Sequence, residues 1–545
     1  MEGLFFAPLG GTGEIGMNLN VYGIDTALLA VDCGMGFAGP DEPEAELLVP
    51  DPAWLAANRA RLCGLVITHA HEDHIGGIAR IWDALRCPIH ATPFAAALIR
   101  YRLNEAGLLR TVKIHEIEPG GRFEIAPFSL RYIRMAHSTP EAQALAITTR
   151  LGTILHTGDW KLDPEPLIGP PTDEAALKAL GDEGVLAMIS DSTNALVEGH
   201  SGSEATVRKS LTALIAGLRG RVVVTCFSSN IARIDSVVKA AQAADRHVAL
   251  VGRSLGRYVE AAREVGYLRD LPDFVPEDEA GRIPDDHLLI LATGSQGEKR
   301  SALARIAADT HRNIALGEGD TVIFSSRMIP GNERAIGTVQ DDLVRAGVNV
   351  MTDRDHMVHV SGHPARDELR RLYRLVRPKY IIPTHGEWRH MAAQADLAEA
   401  EGIRTLLLED GDVLHLAPGD AEVVDSVPVG RLAVDGERLV PMQGGVMAAR
   451  RRMMFNGVVV GSIAVDKAGR VKGTAQIAAP GLFEAQDAAL GELEADFTSS
   501  FEELPASLRS DRASVKEAAQ ATLRRVLGRR FGKRPLVDVH VIQVG

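Results

Sequence analysis

The sequence predicts an α/β protein of more than one domain, with one domain inserted into another. Three observations carry this. At 545 residues the chain exceeds what one hydrophobic core holds, so two or three domains are expected. Between about residues 195 and 355, short apolar runs alternate with helix-period segments, the pattern of a parallel sheet. Histidine-rich motifs stand on both sides of that stretch, at 69–74 and again from 356 to 385, as when a first domain resumes after an insertion.

Taken in order, residues 1 to about 170 read as strands with few helices: Leu4–Pro8, a hairpin of Asn18–Tyr22 and Ala27–Asp32, then Ser129–Met135, Ala144–Thr149 and Thr153–Thr157. The pattern changes near 195. Ser203 is suited to cap a helix whose apolar positions Val207, Leu211, Leu214, Ile215 and Leu218 keep a 3.6-residue period. Strand-like runs follow at Arg221–Phe227, His247–Gly252, His287–Thr293 and Thr321–Ser325. The expected organisation is a first domain over 1–194, an inserted α/β domain over 195–355, the first domain resuming over 356–425, a linker over 426–449 marked by Pro428, Gly430, Gly444 and Gly445, and a C-terminal unit over 450–545. That last unit shows strand-like Gly457–Val465, helix-like Ala513–Val526 and strand-like Leu536–Val544.

Apolar content of 46% and charged content of 24% are those of a soluble globular chain. No apolar run approaches the roughly 20 residues that span a bilayer. The start, Met1-Glu2-Gly3-Leu4-Phe5-Phe6, lacks a basic signal region. Cys33, Cys63, Cys87 and Cys226 show neither C-x-x-C spacing nor disulfide density, which fits a reducing cytoplasm. A net charge of −13 argues against a general nucleic-acid coat protein but leaves room for a nuclease with a local basic groove. Arg450-Arg451-Arg452 and the group Arg524, Arg525, Arg529, Arg530, Lys533 and Arg534 are basic clusters, read as solvated faces or, alternatively, as RNA or subunit contacts.

The densest chemistry lies in His69-Ala70-His71-Glu72-Asp73-His74, directly after the apolar run Cys63–Thr68. Side chains alternate along a strand, so His69 and His71 point the same way. Asp73 and His74 fall on the turn into a helix and can address a second point nearby. Imidazole with carboxylate suits zinc, with manganese or iron as alternatives. His137, Asp159, His363 and His385 each sit at a strand-to-loop edge and complete two coordination spheres. The run Gly11-Thr12-Gly13-Glu14-Ile15-Gly16 matches a dinucleotide fingerprint, but the strand-like Met17–Gly23 follows where a helix is required. A tight glycine turn bringing backbone near the metal site is the better reading.

These motifs, with Gly10–Asn18, Thr68–Gly77, His156–Asp159, Ser190–Asn194, Phe227–Ile231, Thr293–Glu298, Ile329–Glu333, His359–His363 and Pro383–Glu387, resemble the metallo-β-lactamase superfamily in its β-CASP branch, and within it the ribonuclease J family. They occur in the family's order across residues 10 to 387; the C-terminal unit matches in position and length alone. The resemblance implies a metallo-β-lactamase αββα sandwich, an inserted β-CASP α/β domain and a small α+β C-terminal domain for oligomerisation.

It further implies a metal-dependent hydrolase: a nuclease acting as a 5′-to-3′ exoribonuclease that prefers 5′-monophosphate RNA, with endonuclease activity, in RNA degradation and rRNA or mRNA processing. By resemblance, His69, His71 and His137 hold one zinc ion and Asp73, His74 and His385 the other, two per subunit with manganese as the alternative, and Asp159 bridges them. A metal-generated hydroxide attacks phosphorus. His363 is the general acid, oriented by Asp191, and Asp73 counts with them as catalytic. Ser228, Ser229, His359, Ser361, Gly362 and His363 are the substrate-binding candidates, with helix capping before Ile231–Ala244 as the plain alternative for the two serines. Asp163 is a candidate for fixing a ligand histidine. Single-stranded RNA is the expected partner, a homodimer or homotetramer the expected state, and a complex with other RNA-degradation proteins is conceivable, though no residue shows one.

Ala232 stands where many relatives carry histidine, which bears on the RNA channel rather than the chemistry. Two other functions compete. A small-molecule hydrolase of the superfamily would lack the motifs holding Asp191, His363 and His385. A non-catalytic RNA-binding scaffold would have lost ligands, and every expected one is here.

Overall fold

The structure is a computed structural model describing residues 3–39, 41–329, 331–484, 486–511 and 514–544. Met1 and Glu2, Pro330 of the Ile329–Glu333 run, and Ala513 at the head of the expected C-terminal helix lie outside them. The chain divides into two compact units, Met1–Pro40 with Leu47–Leu432, and Asp41–Glu46 with Ala433–Gly545.

Two sheets face each other in the larger unit. One runs, in spatial order, Glu422–Ser426, Asp412–Ala417, Leu4–Gly10, Leu19–Ile24, Ala27–Val31, Leu62–Val66, Ile89–Ala91 and Ile114–Glu116. The other runs Arg122–Ile125, Phe128–Arg134, Gln143–Thr149, Gly152–His156, Ala187–Asp191, Tyr380–Thr384 and Arg404–Thr405. Their inner faces share one core, in which Phe6, Tyr22, Leu29 and Val66 of the first sheet meet Phe128, Tyr132, Leu145, Ile189 and Ile382 of the second. Helices Glu174–Glu183, Arg366–Val376 and Trp388–Ala400 supply Leu177, Leu180, Leu369, Leu372 and Leu397 to a second core with Leu155, Met188 and Ile381. This is the expected αββα sandwich.

The insertion is visible in the sheet itself. The chain leaves after Ala187–Asp191 and comes back as Tyr380–Thr384, parallel and adjacent, with Ile189 opposite Ile382 and Asp191 opposite Thr384. Between them lies a five-stranded parallel sheet ordered His247–Val251, Leu288–Ala292, Val222–Thr225, Thr321–Phe324 and Asn349–Met351. Its strands are short β-branched or leucine-rich runs buried on both faces, as parallel strands covered by helices must be. Ser203 caps the helix Glu204–Ala216 by accepting from the Ala205 amide at 3.2 Å.

In the smaller unit Val458–Val465 pairs parallel with Leu536–Gln543 and antiparallel with Gln476–Ala478. Burial alternates residue by residue along Val458–Val465, and Phe497, Phe501, Ala519 and Leu523 from helices Ala488–Glu502 and Val515–Phe531 cover its inner face. Two features escape a sequence reading. Pro93–Glu105 is a helix with proline in its first turn, buried on so many sides (Phe94, Ala95, Ala96, Leu98, Ile99, Leu103) that no amphipathic period marks it. The stretch 426–449, which reads as a linker from its prolines and glycines, holds strands Arg431–Asp435 and Arg438–Pro441 and the start of the helix Gly445–Asn456.

Candidate metal centre

The centre forms where strand ends of both sheets converge. Strands Gly152–His156, Ala187–Asp191 and Tyr380–Thr384 lie side by side and parallel, so Asp191 at its strand's last position and Asp159 and His385 in the loops after the other two reach one edge. Ala27–Val31 and Leu62–Val66, also parallel, deliver Asp32 and the His69–His74 run from the facing sheet. Strand side chains from Leu62–Val66 are spent on the core, and the polar residues begin only as the chain leaves it.

Three groups of candidate ligand atoms share the Asp159 carboxylate: the two expected ones are His69, His71, His137 with Asp159 and Asp73, His74, His385 with Asp159, and the third joins Asp159 and His385 to Asp191 and His363. In the first, His71 Nδ1 lies 3.1 Å from both His69 Nε2 and His137 Nε2, and Asp159 Oδ2 lies 3.6 and 3.7 Å from His69 Nε2 and His137 Nε2. In the second, His385 Nε2 is 3.0 Å from Asp73 Oδ2, and Asp159 Oδ2 is 3.3 Å from His74 Nε2 and 3.7 Å from His385 Nε2. His385 sits at φ 50°, a left-handed conformation uncommon for a side chain this large, and its amide donates to the Gly11 carbonyl at 2.7 Å. The glycine run thus supports the ligand loop, and the strand Leu19–Ile24 follows it.

The far ring nitrogens are held as well. Asp32 Oδ2 accepts from His74 Nδ1 at 2.7 Å and from the Thr68 hydroxyl at 2.8 Å, and Thr68 Oγ1 is 3.0 Å from His69 Nδ1. The Gly362 carbonyl takes the Nδ1 proton of His137 at 2.7 Å. Thr193 Oγ1 is 2.8 Å from His385 Nδ1, and Ser138 Oγ is 3.3 Å from His71 Nε2. Each partner fixes a tautomer and leaves the opposite nitrogen free to coordinate. Sequence reading names Asp163 for this job. Instead Asp163 pairs with the buried Lys161 at 3.0 Å and accepts from the Glu204 amide, because a lysine in the interior needs a carboxylate partner. Asp32 goes unnamed, although its signal is there: an acidic residue directly after the apolar strand Ala27–Val31. Thr193 has no sequence signal.

The charges fit divalent cations. Burial pulls His71 down to about 4 and pushes His69 and His137 well below the usual histidine range, so these rings are neutral lone-pair donors. Burial likewise opposes a charge on His385, yet Asp159 and Asp73 carry its pKa up to about 9. A buried cluster that draws positive charge this strongly, through imidazole and carboxylate donors only, suits zinc or manganese.

Beside it, His363 Nδ1 is 2.9 Å from Asp191 Oδ2, while Asp191 Oδ1 accepts from the Thr193 amide. Burial works against a charge on His363, but Asp191 and then Asp159 leave its pKa raised. Ser361 Oγ accepts from Asn194 Nδ2 at 2.7 Å and from the His363 amide at 3.2 Å. His359 is half-buried with no hydrogen-bond partner for its inaccessible Nδ1, and burial of the ring together with Arg233, Arg327 and Lys161 holds it neutral. Ser228 Oγ pairs with Ser254 Oγ at 2.8 Å, and Ser229 is half-buried. Neither serine caps the helix Ile231–Ala243; Asn230 does, accepting from the Arg233 amide at 2.9 Å, because it is the residue directly before the first turn.

This fold and donor set define a metal-dependent hydrolase of the metallo-β-lactamase superfamily. Residues 20–224 match the metallo-beta-lactamase superfamily, 219–343 the ribonuclease J beta-CASP domain, 347–408 the Zn-dependent metallo-hydrolase RNA specificity domain, and 445–544 the ribonuclease J C-terminal domain. The chain is 43% identical to ribonuclease J of Sinorhizobium meliloti, covering 100% of this chain and 98% of that protein. It is 38% identical to ribonuclease J of Mycolicibacterium smegmatis (99% and 98%) and 33% identical to that of Helicobacter pylori (98% and 78%). A crystal structure of a protein of unknown function from Enterococcus faecalis V583 shares the fold, with a TM-score of 0.53 and 15% identity over 75% of this chain and 99% of that one. The chain belongs to the ribonuclease J family. It is a metal-dependent ribonuclease, a hydrolase that binds RNA and carries a metal cofactor.

Proposed function

We propose that the chain is a 5′-to-3′ exoribonuclease that prefers 5′-monophosphorylated single-stranded RNA and also cuts internally, in cytoplasmic RNA degradation and rRNA or mRNA processing. Two zinc ions, or manganese in their place, would be held by His69, His71 and His137 and by Asp73, His74 and His385, with Asp159 shared. Bound there, they supply Lewis-acid chemistry, lowering the pKa of a water and neutralising phosphate charge. The domain partition goes with this reading: 1–194 and 356–425 form the catalytic domain, 195–355 closes over RNA, and 450–545, reached through 426–449, assembles a dimer or tetramer. Among the described residues no helix is long and apolar enough to cross a membrane.

The observation that carries the reading is the His363–Asp191 pair at 2.9 Å, beside the metal cluster. Asp191 holds the Nδ1 proton and favours the charged ring, so His363 keeps a proton on Nε2 to give to the leaving 3′-oxygen. A small-molecule hydrolase has no need of an acid supplied by residues on either side of an insertion. For the 5′ end, Ser361 Oγ already accepts two hydrogen bonds, so its own proton is left to donate to a phosphate oxygen. The unpartnered Nδ1 of neutral His359, near Arg233 and Arg327, suits the same anion. The Ser228 hydroxyl, paired with Ser254, would have to exchange that partner to join.

The test compares labelled single-stranded RNAs bearing 5′-monophosphate or 5′-triphosphate, with and without chelator. Chelator-sensitive release of mononucleotides from the monophosphate substrate supports the reading; equal rates on both RNAs overturn the 5′-end preference. His363→Gln should lower kcat about 10²–10⁴-fold with little change in KM. The full chain should sediment as a dimer or tetramer and residues 1–449 as a monomer if 450–545 assembles it; an unchanged assembly state would refute that role.

A further inference from the structure

Glu72 stands inside the metal motif yet belongs to no candidate ligand group. What it does touch comes from elsewhere in the chain. Tyr258, on the inserted-domain helix Arg253–Glu264, is buried, and its hydroxyl lies 3.3 Å from the Ala70 carbonyl and 3.4 Å from Glu72 Oε1. Arg102 of the helix Pro93–Glu105 pairs with the same carboxylate oxygen. Ala70 separates His69 from His71, and Glu72 separates His71 from Asp73. One tyrosine therefore grips the backbone and the side chain between successive ligands.

Just past the same helix, Tyr267 reaches the other ligand loop. Its hydroxyl lies 3.3 Å from Glu141 Oε1, while Glu141 Oε2 accepts from the Phe94 amide at 2.8 Å. Glu141 lies four residues after His137 and adopts φ 59°, a left-handed conformation that needs holding. The fully buried Phe94 ring lies between the two tyrosines, with centroids 6.4 Å from Tyr258 and 6.5 Å from Tyr267. The two hydroxyls are the polar tips of an otherwise packed aromatic contact.

We infer that Tyr258 and Tyr267 are positioning residues through which the inserted domain fixes both loops of the first cation site, 69–74 and 137–141, so that cation binding and domain docking stabilise each other. Neither tyrosine belongs to a candidate ligand group. Each acts on a ligand through the loop beside it, as partners of ligands do, and loss of such a partner typically weakens metal binding about 10–100-fold. Reciprocity follows from linkage: whatever docking gives to cation affinity, the cation returns to docking.

The inference rests on the two-cation reading, and the experiment separates the two. Metal-stripped full-length protein is titrated with Co²⁺ and followed by its visible absorption. The unaltered chain should bind two equivalents; if it binds none, the two-cation reading fails and this inference with it. Tyr258→Phe and Tyr267→Phe, singly and together, remove only the hydroxyls. The double variant should show about a 10-fold rise in apparent Kd at one of the two equivalents and an altered absorption band. Arg257→Ala is the control, since Arg257 meets Glu105 and the Tyr101 ring across the same domain contact without touching a ligand loop. It loosens docking without moving a ligand loop, so its rise in Kd should fall well short of the double variant's. A double variant that titrates like the unaltered chain, or an Arg257→Ala that weakens binding as much as the double variant does, overturns the role.

Discussion

Asp32 Oδ2 lies 2.7 Å from His74 Nδ1; Asp32 directly follows the strand Ala27–Val31, and His74 lies in the short helix Glu72–Ile75 beyond the neighbouring strand Leu62–Val66. Both are buried, so the carboxylate has no competing water and commits the imidazole to a single tautomer, Nδ1 protonated and Nε2 turned to Asp159 at 3.3 Å. Through Thr68 the same carboxylate also steadies His69.

Asp32→Asn should therefore act on metal rather than on the fold. Asparagine keeps an acceptor for the Thr68 amide at 2.8 Å but offers a donor where His74 and the Thr68 hydroxyl need an acceptor. Metal affinity should fall about 10–100-fold in a titration of stripped protein, with excess metal restoring much of the cleavage. Unchanged affinity would mean His74 keeps its orientation without Asp32.

His71→Ala removes the candidate ligand whose Nδ1 stands between the Nε2 atoms of His69 and His137. Cleavage should be abolished and far-UV circular dichroism preserved, since His71 sits at the rim and not in the core. Chelation of the unaltered chain should reproduce the loss reversibly. RNA degradation at the unaltered rate by the variant would refute the ligand assignment.

Glu204→Gln tests stability. Arg233 is fully buried, pairs with Glu204 at 2.9 Å, and donates to Ser325 and to the Val358 carbonyl, so it ties the first two helices of the inserted domain to a strand end and to the return segment. Neutralising Glu204 leaves a buried guanidinium without its counter-charge, at a cost of about 3–5 kcal/mol. The denaturant midpoint should drop accordingly, and an unchanged midpoint would contradict the pairing.

Asp410 gives a pH-dependent prediction away from the metal ligands. Burial, and then Glu14, push its carboxyl up to about 8, against about 3.9 in an unfolded chain. The folded state therefore binds this proton more tightly, so the stability it contributes is complete below about pH 4 and is lost as pH rises towards 8. Asp410→Asn keeps an acceptor for the Thr12 amide at 3.1 Å and has no proton to lose. Its melting temperature should exceed that of the unaltered chain by about 2 °C or more at pH 8.5 and match it at pH 4.5. Parallel melting curves at every pH would refute the shifted carboxyl.

Much of this was legible in the residues because ligands and strands leave strong local marks. His69, His71, Asp73 and His74 share one short run, and the strands around Val223, Leu250 and Ile290 are apolar blocks between turn residues. Asp32 carries only a faint mark, an acidic residue directly after a strand, and Thr193 none, since each meets its histidine only after distant segments come together. The helix Pro93–Glu105 was missed because burial on most sides erases its period, and the strands near 431 and 438 because proline and glycine outweighed short alternating runs. Ser228 and Ser229 show the limit of reading a cap from composition, since Asn230 one position later holds the geometry.

His385 Nε2 and Asp73 Oδ2 meet at 3.0 Å across 312 residues of chain. During synthesis, Asp73, His74 and Asp159 of the second donor group are made early, and His385 only after the whole insertion. A growing chain thus passes through most of its length without a complete hydrolytic centre. Assembly of this donor group therefore waits on the inserted domain, whose return strand Tyr380–Thr384 brings His385 to the sheet edge.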